Sequence, residues 1–176
     1  MNNIELKKAT INEISQLQAI CKELYPIWFG SYWEKNGLEL YLEDQFGTNS
    51  LQSDLMGKHI EYYFIYLGEE AVGFLKINGA VPFEDFKIGA ICELEKMYVF
   101  PKFKGLGIGT HALNNIIQNY RKRDISKMML DVIETNKNAI AFYEKCGFKF
   151  HSKTKVAALH FKESLNGLNR MVLDLK

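Results

Sequence analysis

Apolar and polar positions along the chain alternate between two rhythms, a period of two and a period between three and four. Ile4 to Lys8 reads as a short first strand. Thr10-Ile-Asn-Glu13 is a capping-box sequence, in which hydroxyl and carboxylate satisfy each other's backbone N–H groups, and it opens a helix. The apolar stripe of that helix is Ile11, Ile14, Leu17, Ile20, Cys21 and Leu24, with Pro26 marking its end. Leu38 to Phe46 reads as a second helix, and Thr48 opens a third. Glu61 to Leu67 and Ala71 to Ile77 form a hairpin around Gly68-Glu69-Glu70. Asn78 to Ile88 reads as a mobile loop. Glu93 to Phe100 is a strand closed by Pro101, which cannot donate a ladder hydrogen bond. Ile108, Ala112, Leu113, Ile116, Ile117 and Tyr120 make one buried helix face. Met128 to Ile133 is a further strand. The helix from Asn138 buries Ala139, Phe142, Tyr143 and Cys146, and Gly147 sits where a left-handed cap belongs. Phe148 to Val156 and Leu168 to Leu175 are the last strands, joined by a polar loop around Asn166-Gly167. The order predicts a mixed α/β (α+β) chain, with antiparallel hairpins flanking a strand–helix–strand unit.

Composition narrows the classes. At 176 residues, without repeat or linker, the chain reads as one domain over 1–176 with room for a proper core. A net charge of +1 argues against nucleic acid and polybasic membrane surfaces as partners. No apolar run approaches the ~18 residues of a membrane span, and MNNIELKKAT lacks the basic-then-apolar layout of a secretion signal. Cys21, Cys92 and Cys146 are odd in number and widely spaced, which reads as reduced thiols in a cytoplasmic protein. His59, His111, His151 and His160 show no ligand spacing, so no metal is expected.

The stretch with chemical content is Lys104-Gly105-Leu106-Gly107-Ile108-Gly109-Thr110, between a strand and a helix. A helix start leaves about four N–H groups without partners and carries partial positive charge, and glycines let a ligand reach the backbone. Such a loop suits a phosphate or diphosphate. The spacing G-x-G-x-G departs from the dinucleotide fingerprint, and no Gly-Lys-Ser/Thr follows as a nucleoside triphosphate loop requires. Taken alone, it also fits an ordinary turn into a core helix.

A second landmark lies downstream, Glu134 to Phe148. Val99-Phe100-Pro101, the glycine loop and Asn138-Ala-Ile-Ala-Phe-Tyr-Glu-Lys-Cys-Gly-Phe148 together resemble the GNAT acetyltransferase superfamily. The runs FIYLGEEAVGFLKIN, ELEKMYVFPKFKGLGIG and NKNAIAFYEKCGF look most like bacterial spermidine/spermine acetyltransferases of the Pai type. The match covers roughly residues 60 to 175. Lys104 stands where the family has Arg or Gln, which keeps the charge but loses the fork geometry. The resemblance implies a splayed mixed sheet of about seven strands with helices on both faces. It also implies an N-acetyltransferase that takes acetyl-CoA as co-substrate and a primary amine as acceptor.

It further implies site residues. An alkylamine with pKa ~10.4 must lose a proton before it attacks. Counting back eleven positions from Lys104 lands on Glu93 as base, with Glu95 two residues on and on the same face if the strand is regular. The other reading of either is a solvated or salt-bridged carboxylate. Tyr143 matches the family's proton donor to the departing thiolate, and otherwise reads as a core aromatic. Backbone groups of Met97, Tyr98 and Val99 would pair with the pantetheine arm and face the oxyanion. Asn136 would meet the pantetheine through its amide, while Asn138 caps its helix. Lys145 is a candidate for the 3′-phosphate or a solvated lysine.

For the acceptor, a polycation needs carboxylates and aromatic faces. Glu39, Glu43, Asp44, Glu84 and Asp85 with Trp28 and Trp33 are the candidates, each also readable as ordinary surface or core. A protein N-terminus or lysine is the alternative acceptor, and a non-catalytic CoA-binding module is a third reading. A homodimer is left open.

Overall fold

In this computed structural model residues 3–79, 81 and 90–176 are described. The elements run β1 (Ile4–Lys8), α1 (Ile14–Phe29), α2 (Gly37–Phe46), α3 (Thr48–Met56), β2 (Ile60–Leu67), β3 (Glu70–Asn78), β4 (Ile91–Val99), α4 (Ile108–Arg121), β5 (Lys127–Ile133), α5 (Lys137–Lys145), β6 (Lys149–Lys155) and β7 (Gly167–Asp174). The strands form one seven-stranded sheet in the order β1-β2-β3-β4-β5-β7-β6. Every neighbouring pair is antiparallel except β4 and β5, which run parallel.

Period-two alternation places helices on both faces. On β2, Tyr62 and Phe64 pack with Leu17, Leu24, Phe46 and Leu51 of α1 to α3. Tyr63, with Leu75 of β3, turns to the opposite face against Leu113, Ile116 and Ile117 of α4. The six residues of the α4 stripe are its six buried residues. No helix among the described residues is long and apolar enough to cross a membrane.

Some expectations need correction. Pro26 does not end α1, which continues to Phe29 with the Gly30 N–H bonded to Pro26 O. A proline removes one donor and crowds the turn before it, but here it falls in the last turn. Around it, Tyr25 stacks on Phe29 (5.1 Å) and Tyr41 (4.7 Å), an aromatic cluster that holds the turn. Ile11, counted in the buried stripe, is 43% exposed in a 3₁₀ turn ahead of the helix. There Glu13 accepts both the N–H (3.0 Å) and the hydroxyl (2.9 Å) of Thr10. Of the loop expected over 78–88, Asn78 ends β3, and positions 80 and 82–88 lie outside the described residues.

Candidate active site

β4 and β5 pair only at Ile91–Lys127, Cys92–Met128 and Glu93–Met129, after which they part. On its other edge β4 stays paired with β3 as far as Val99–Gly73. The Phe100 N–H bonds Val72 O at 2.9 Å. Backbone direction alternates along a strand, so Val99 and Met97 turn their N–H and C=O groups to the open edge. Tyr98, expected to share that edge, turns its backbone toward β3. Its ring joins the aromatic cluster, edge-on to Phe74 at 5.5 Å. Trp28 reaches the open edge from α1, donating its indole N–H to Val99 O at 3.2 Å.

The strand is not regular. Lys96 faces Lys76 and Leu94 faces Ile77, so Glu95 is the extra residue of a β-bulge. Leu94 and Met97 both pack in the α4-side core, which leaves Glu95 and Lys96 together on the other face. Glu93 shares that face, because Ile91, Met129 and Val172 form one cluster there and Glu93 lies two residues past Ile91. By the same count Asp131 and Arg170 join it, and Arg170 grips Asp131 with two bonds of 2.9 and 2.7 Å.

The two carboxylates differ sharply. Burial, then the charges of Glu95 and Asp131, push the Glu93 carboxyl up to about 7, against the pull of Arg170 and Lys96. Burial also opposes ionisation of Glu95, but the ammonium groups of Lys96 and Lys76 overcome it and hold that carboxyl below its ordinary value. Neighbouring acids driven apart in this way are suited to different roles.

The glycine loop follows the end of β4 and leads into α4, on the face that carries Met97. Gly105 (φ +86°) and Gly107 (φ +73°) occupy the left-handed region, and a Cβ at either would meet nothing within 4 Å. Gly107 precedes α4 without a side-chain cap, and the first helix amide with a backbone acceptor is that of His111, on Gly107 O at 3.0 Å. The amides of Ile108, Gly109 and Thr110 are thus those a helix start leaves open. Lys104, Gly105, Leu106 and Gly107 are exposed at the lip. A Cβ on Gly109 would sit 3.6 Å from Met97 Cε and 3.6 Å from Phe142 Cζ, so strand, loop and α5 converge at this point.

Tyr143 follows Phe142 on α5, partly buried, its ring edge-on to Phe148 at 5.8 Å. Burial, then Cys146, pushes its hydroxyl up to about 12. The helix ends as its glycine requires: Gly147 has φ +94°, with Phe148 N–H on Tyr143 O and Gly147 N–H on Glu144 O. At its start the expected cap is corrected. Asn136, not Asn138, caps α5, its Oδ1 accepting the Ala139 N–H at 3.1 Å, because the helix begins one residue earlier, at Lys137. Lys145 lies exposed in the last turn.

The acceptor candidates fare worse. Trp33 is a buried member of the aromatic cluster, 4.6 Å from Tyr41 and 5.1 Å from Phe161. Glu43 pairs with Lys22 at 2.9 Å on the outer surface. Glu39 is exposed in the first turn of α2, and Asp44 lines a polar cleft with Ser50, Asp54 and Lys76. Glu84 and Asp85 lie outside the described residues. Among the described members of that set, Trp28 alone is placed at the open edge. The residues passed over are Lys76, Lys96, Asp131 and Arg170. For Lys76 and Asp131 the signal was present, since each is a charge inside an otherwise apolar strand run.

Known proteins resemble this chain in sequence and in fold. Residues 17–148 match the Acetyltransferase (GNAT) family. An uncharacterized N-acetyltransferase of Schizosaccharomyces pombe is 35% identical over 71 residues, 40% of this chain and 44% of its own length. An uncharacterized N-acetyltransferase of Lactobacillus delbrueckii subsp. lactis is 22% identical over 148 residues, 84% of this chain and 85% of its own. The crystal structure of the PaiA N-acetyltransferase from Thermoplasma acidophilum in complex with coenzyme A superposes with a TM-score of 0.76 at 18% identity, covering 98% of this chain and 99% of that one. The first curated relatives are matched over less than half of their own length. With three-quarters of its residues inside the family match, the chain belongs to the GNAT acetyltransferase family.

Proposed function

We propose that this protein transfers the acetyl group of acetyl-CoA to the primary amine of a small alkylamine, a polyamine such as spermidine being the leading candidate. The observation that carries the reading is the parting of β4 and β5 at Glu93, with a raised carboxyl at the parting, an open β4 edge beyond it and an uncapped helix start after the strand.

The residues fit the cofactor. Open amides at Ile108 to Thr110, glycines with empty space where a side chain would be, and the Lys104 charge suit a diphosphate. The backbone of Met97 and Val99 offers strand-like pairing to the two amides of a pantetheine arm, and the NH₂ of Asn136 supplies a donor at the start of α5. Bound there, acetyl-CoA supplies an acetyl group activated as a thioester.

The chain's own groups then manage protons. Near neutral pH an alkylammonium is almost wholly protonated. Glu93, half-ionised near pH 7, takes the amine proton, directly or through water, as the nitrogen lone pair attacks the carbonyl carbon. The open-edge N–H of Met97, the nearer of the two to Glu93 along the strand, is the donor for the negative oxygen that forms. When the carbon–sulfur bond breaks, its electrons leave on sulfur, and the Tyr143 hydroxyl, neutral at working pH, gives that sulfur a proton. Glu93, with Asp131 acting on it from β5, favours a cationic acceptor over an anionic one.

The test is thiol release from acetyl-CoA across a panel of spermidine, spermine, simple alkylamines and peptides with free N-termini or lysines. Spermidine-dependent thiol release between pH 7 and 9 supports the reading. Release with peptides alone moves the acceptor to protein, and release with none of them overturns the assignment.

A further inference from the structure

Among the described residues two charged side chains are buried, Lys76 at 6% and Lys96 at 5% exposure, and both end on the carboxylate of Glu95. Lys76 Nζ lies 3.1 Å from Glu95 Oε1 and 3.0 Å from Asp54 Oδ2. Lys96 Nζ bonds the same Glu95 oxygen and Gln45 Oε1 at 3.2 Å. Tyr62 donates its hydroxyl to Asp54 at 2.9 Å, and the two ammonium groups lie over aromatic rings, Lys76 over Tyr62 at 5.4 Å and Lys96 over Phe46 at 5.8 Å. The network thus joins α2, α3, β2, β3 and β4.

As a stabilising device such a cluster is poor value, because desolvating its charges offsets most of their attraction. Its position is more informative. It closes on the bulge residue, two positions from Glu93 and on the same face. A bulge leaves its extra residue outside the ladder and free to re-aim, and here two ammonium groups remove that freedom.

We propose that Lys76 and Lys96 clamp Glu95, and that Glu95, as a positioning residue, holds the adjoining Glu93 in its working place and sets the local field in which it takes up a proton. The inference rests on Glu93 being the base. The charged groups acting on Glu93 are Glu95 and Lys96 from its own strand, Asp131 from β5 and Arg170 from β7. Asp131 is already tied by Arg170, and after burial itself Glu95 acts most strongly against ionisation. Removing the Glu95 charge and removing the Lys96 charge should therefore move Glu93 in opposite directions, a signature that loose packing does not produce.

The experiment titrates the Glu93 side-chain carboxyl by ¹³C NMR in protein without acetyl-CoA, and in parallel records kcat/KM against pH. Glu95→Gln, nearly isosteric, should lower the Glu93 midpoint by about 1 pH unit, and Lys96→Met should raise it. The acid limb of the rate profile should follow both. Midpoints in Glu95→Gln that coincide with the unaltered protein overturn the clamp, as does a fall in kcat with no movement of either midpoint or limb. If Lys96→Met does not fold, Glu95→Gln decides alone. Glu93→Gln separates the two ideas. Should it keep the acid limb, Glu93 is not the base, while the NMR midpoints still judge the clamp.

Discussion

Along its β3 edge β4 is paired from Glu93 to Val99, and along its β5 edge pairing stops at Glu93. On the closed edge, contact is so close that a Cβ on Gly73 would lie 2.3 Å from Tyr98 O. On the open edge, Met97 and the Val99 N–H present ladder groups to whatever enters, while Val99 O holds the Trp28 indole. One strand is therefore held by one side and lent out on the other. The two sides should answer substitution differently, the closed edge in stability and the open edge in turnover.

The largest effect is expected at the point where the edges part. Glu93→Gln should lower kcat/KM by about 10³-fold, within the range that a positioned base supplies. In the unaltered protein kcat/KM should rise with pH through about 7, the value to which the Glu93 carboxyl is pushed, and then level. Stability should move the other way. The folded value lies above the ordinary 4.5, so ionising Glu93 weakens the fold. Glu93→Gln should gain nothing in stability at pH 4, gain progressively through the window between 4.5 and 7, and hold the full gain at pH 8. Thermal unfolding at these three pH values checks the sign. A variant that is both slower and less stable at pH 8 would break the comparison.

Tyr143→Phe comes next, with kcat about 10²-fold lower and acetyl-CoA affinity unchanged. Phe keeps the ring that packs on Phe142 and Phe148. Stopped-flow turnover beside calorimetry of acetyl-CoA binding separates loss of a proton donor from loss of a wall. Unchanged turnover would remove Tyr143 from the chemistry and leave it a core aromatic.

How far these two edges could be read from residues alone differs in the same way. The closed side was legible in part, because the β2–β3 hairpin writes itself as two apolar runs around Gly68-Glu69-Glu70. The α4 stripe was legible at helical period. The glycine loop was legible because positive φ at 105 and 107 selects glycine. The open edge left no local mark, since where two parallel strands stop pairing is set by what packs between and behind them. Nor did the bulge, for one extra residue at Glu95 looks like any strand residue until its partner strand is in place. Lys76 and Lys96 were passed over because their common partner depends on that bulge. Pro26 misled because a proline stops a helix only when nothing beyond it holds the turn, and Phe29 does.

On the closed edge, Gly73→Ala should cost about 1–3 kcal/mol, a steric effect that exceeds the modest gain a Gly→Ala change brings in the unfolded chain. Tyr98 O is backbone and cannot swing aside, so β4 must shift by a fraction of an ångström. Urea unfolding with an unchanged m-value should show the loss. Turnover of the remaining folded protein should stay within a few-fold. A collapse in kcat to match Glu93→Gln would mean that the edges are not separable.

The smallest effect belongs to Asn136, where both functions meet in one side chain. Its oxygen caps α5 through the Ala139 N–H, while the NH₂ end is the donor assigned to the pantetheine. Asp in its place keeps an oxygen for the cap and discards the donor, so Asn136→Asp should leave stability nearly intact and raise KM for acetyl-CoA a few-fold. Asn136→Ala loses both, at about 1 kcal/mol of stability for the missing cap and the same rise in KM. If both variants lose stability alike while KM stays put, the amide is only a cap. If KM rises in Ala but not in Asp, it is the set of the α5 start, not the donor, that the cofactor feels.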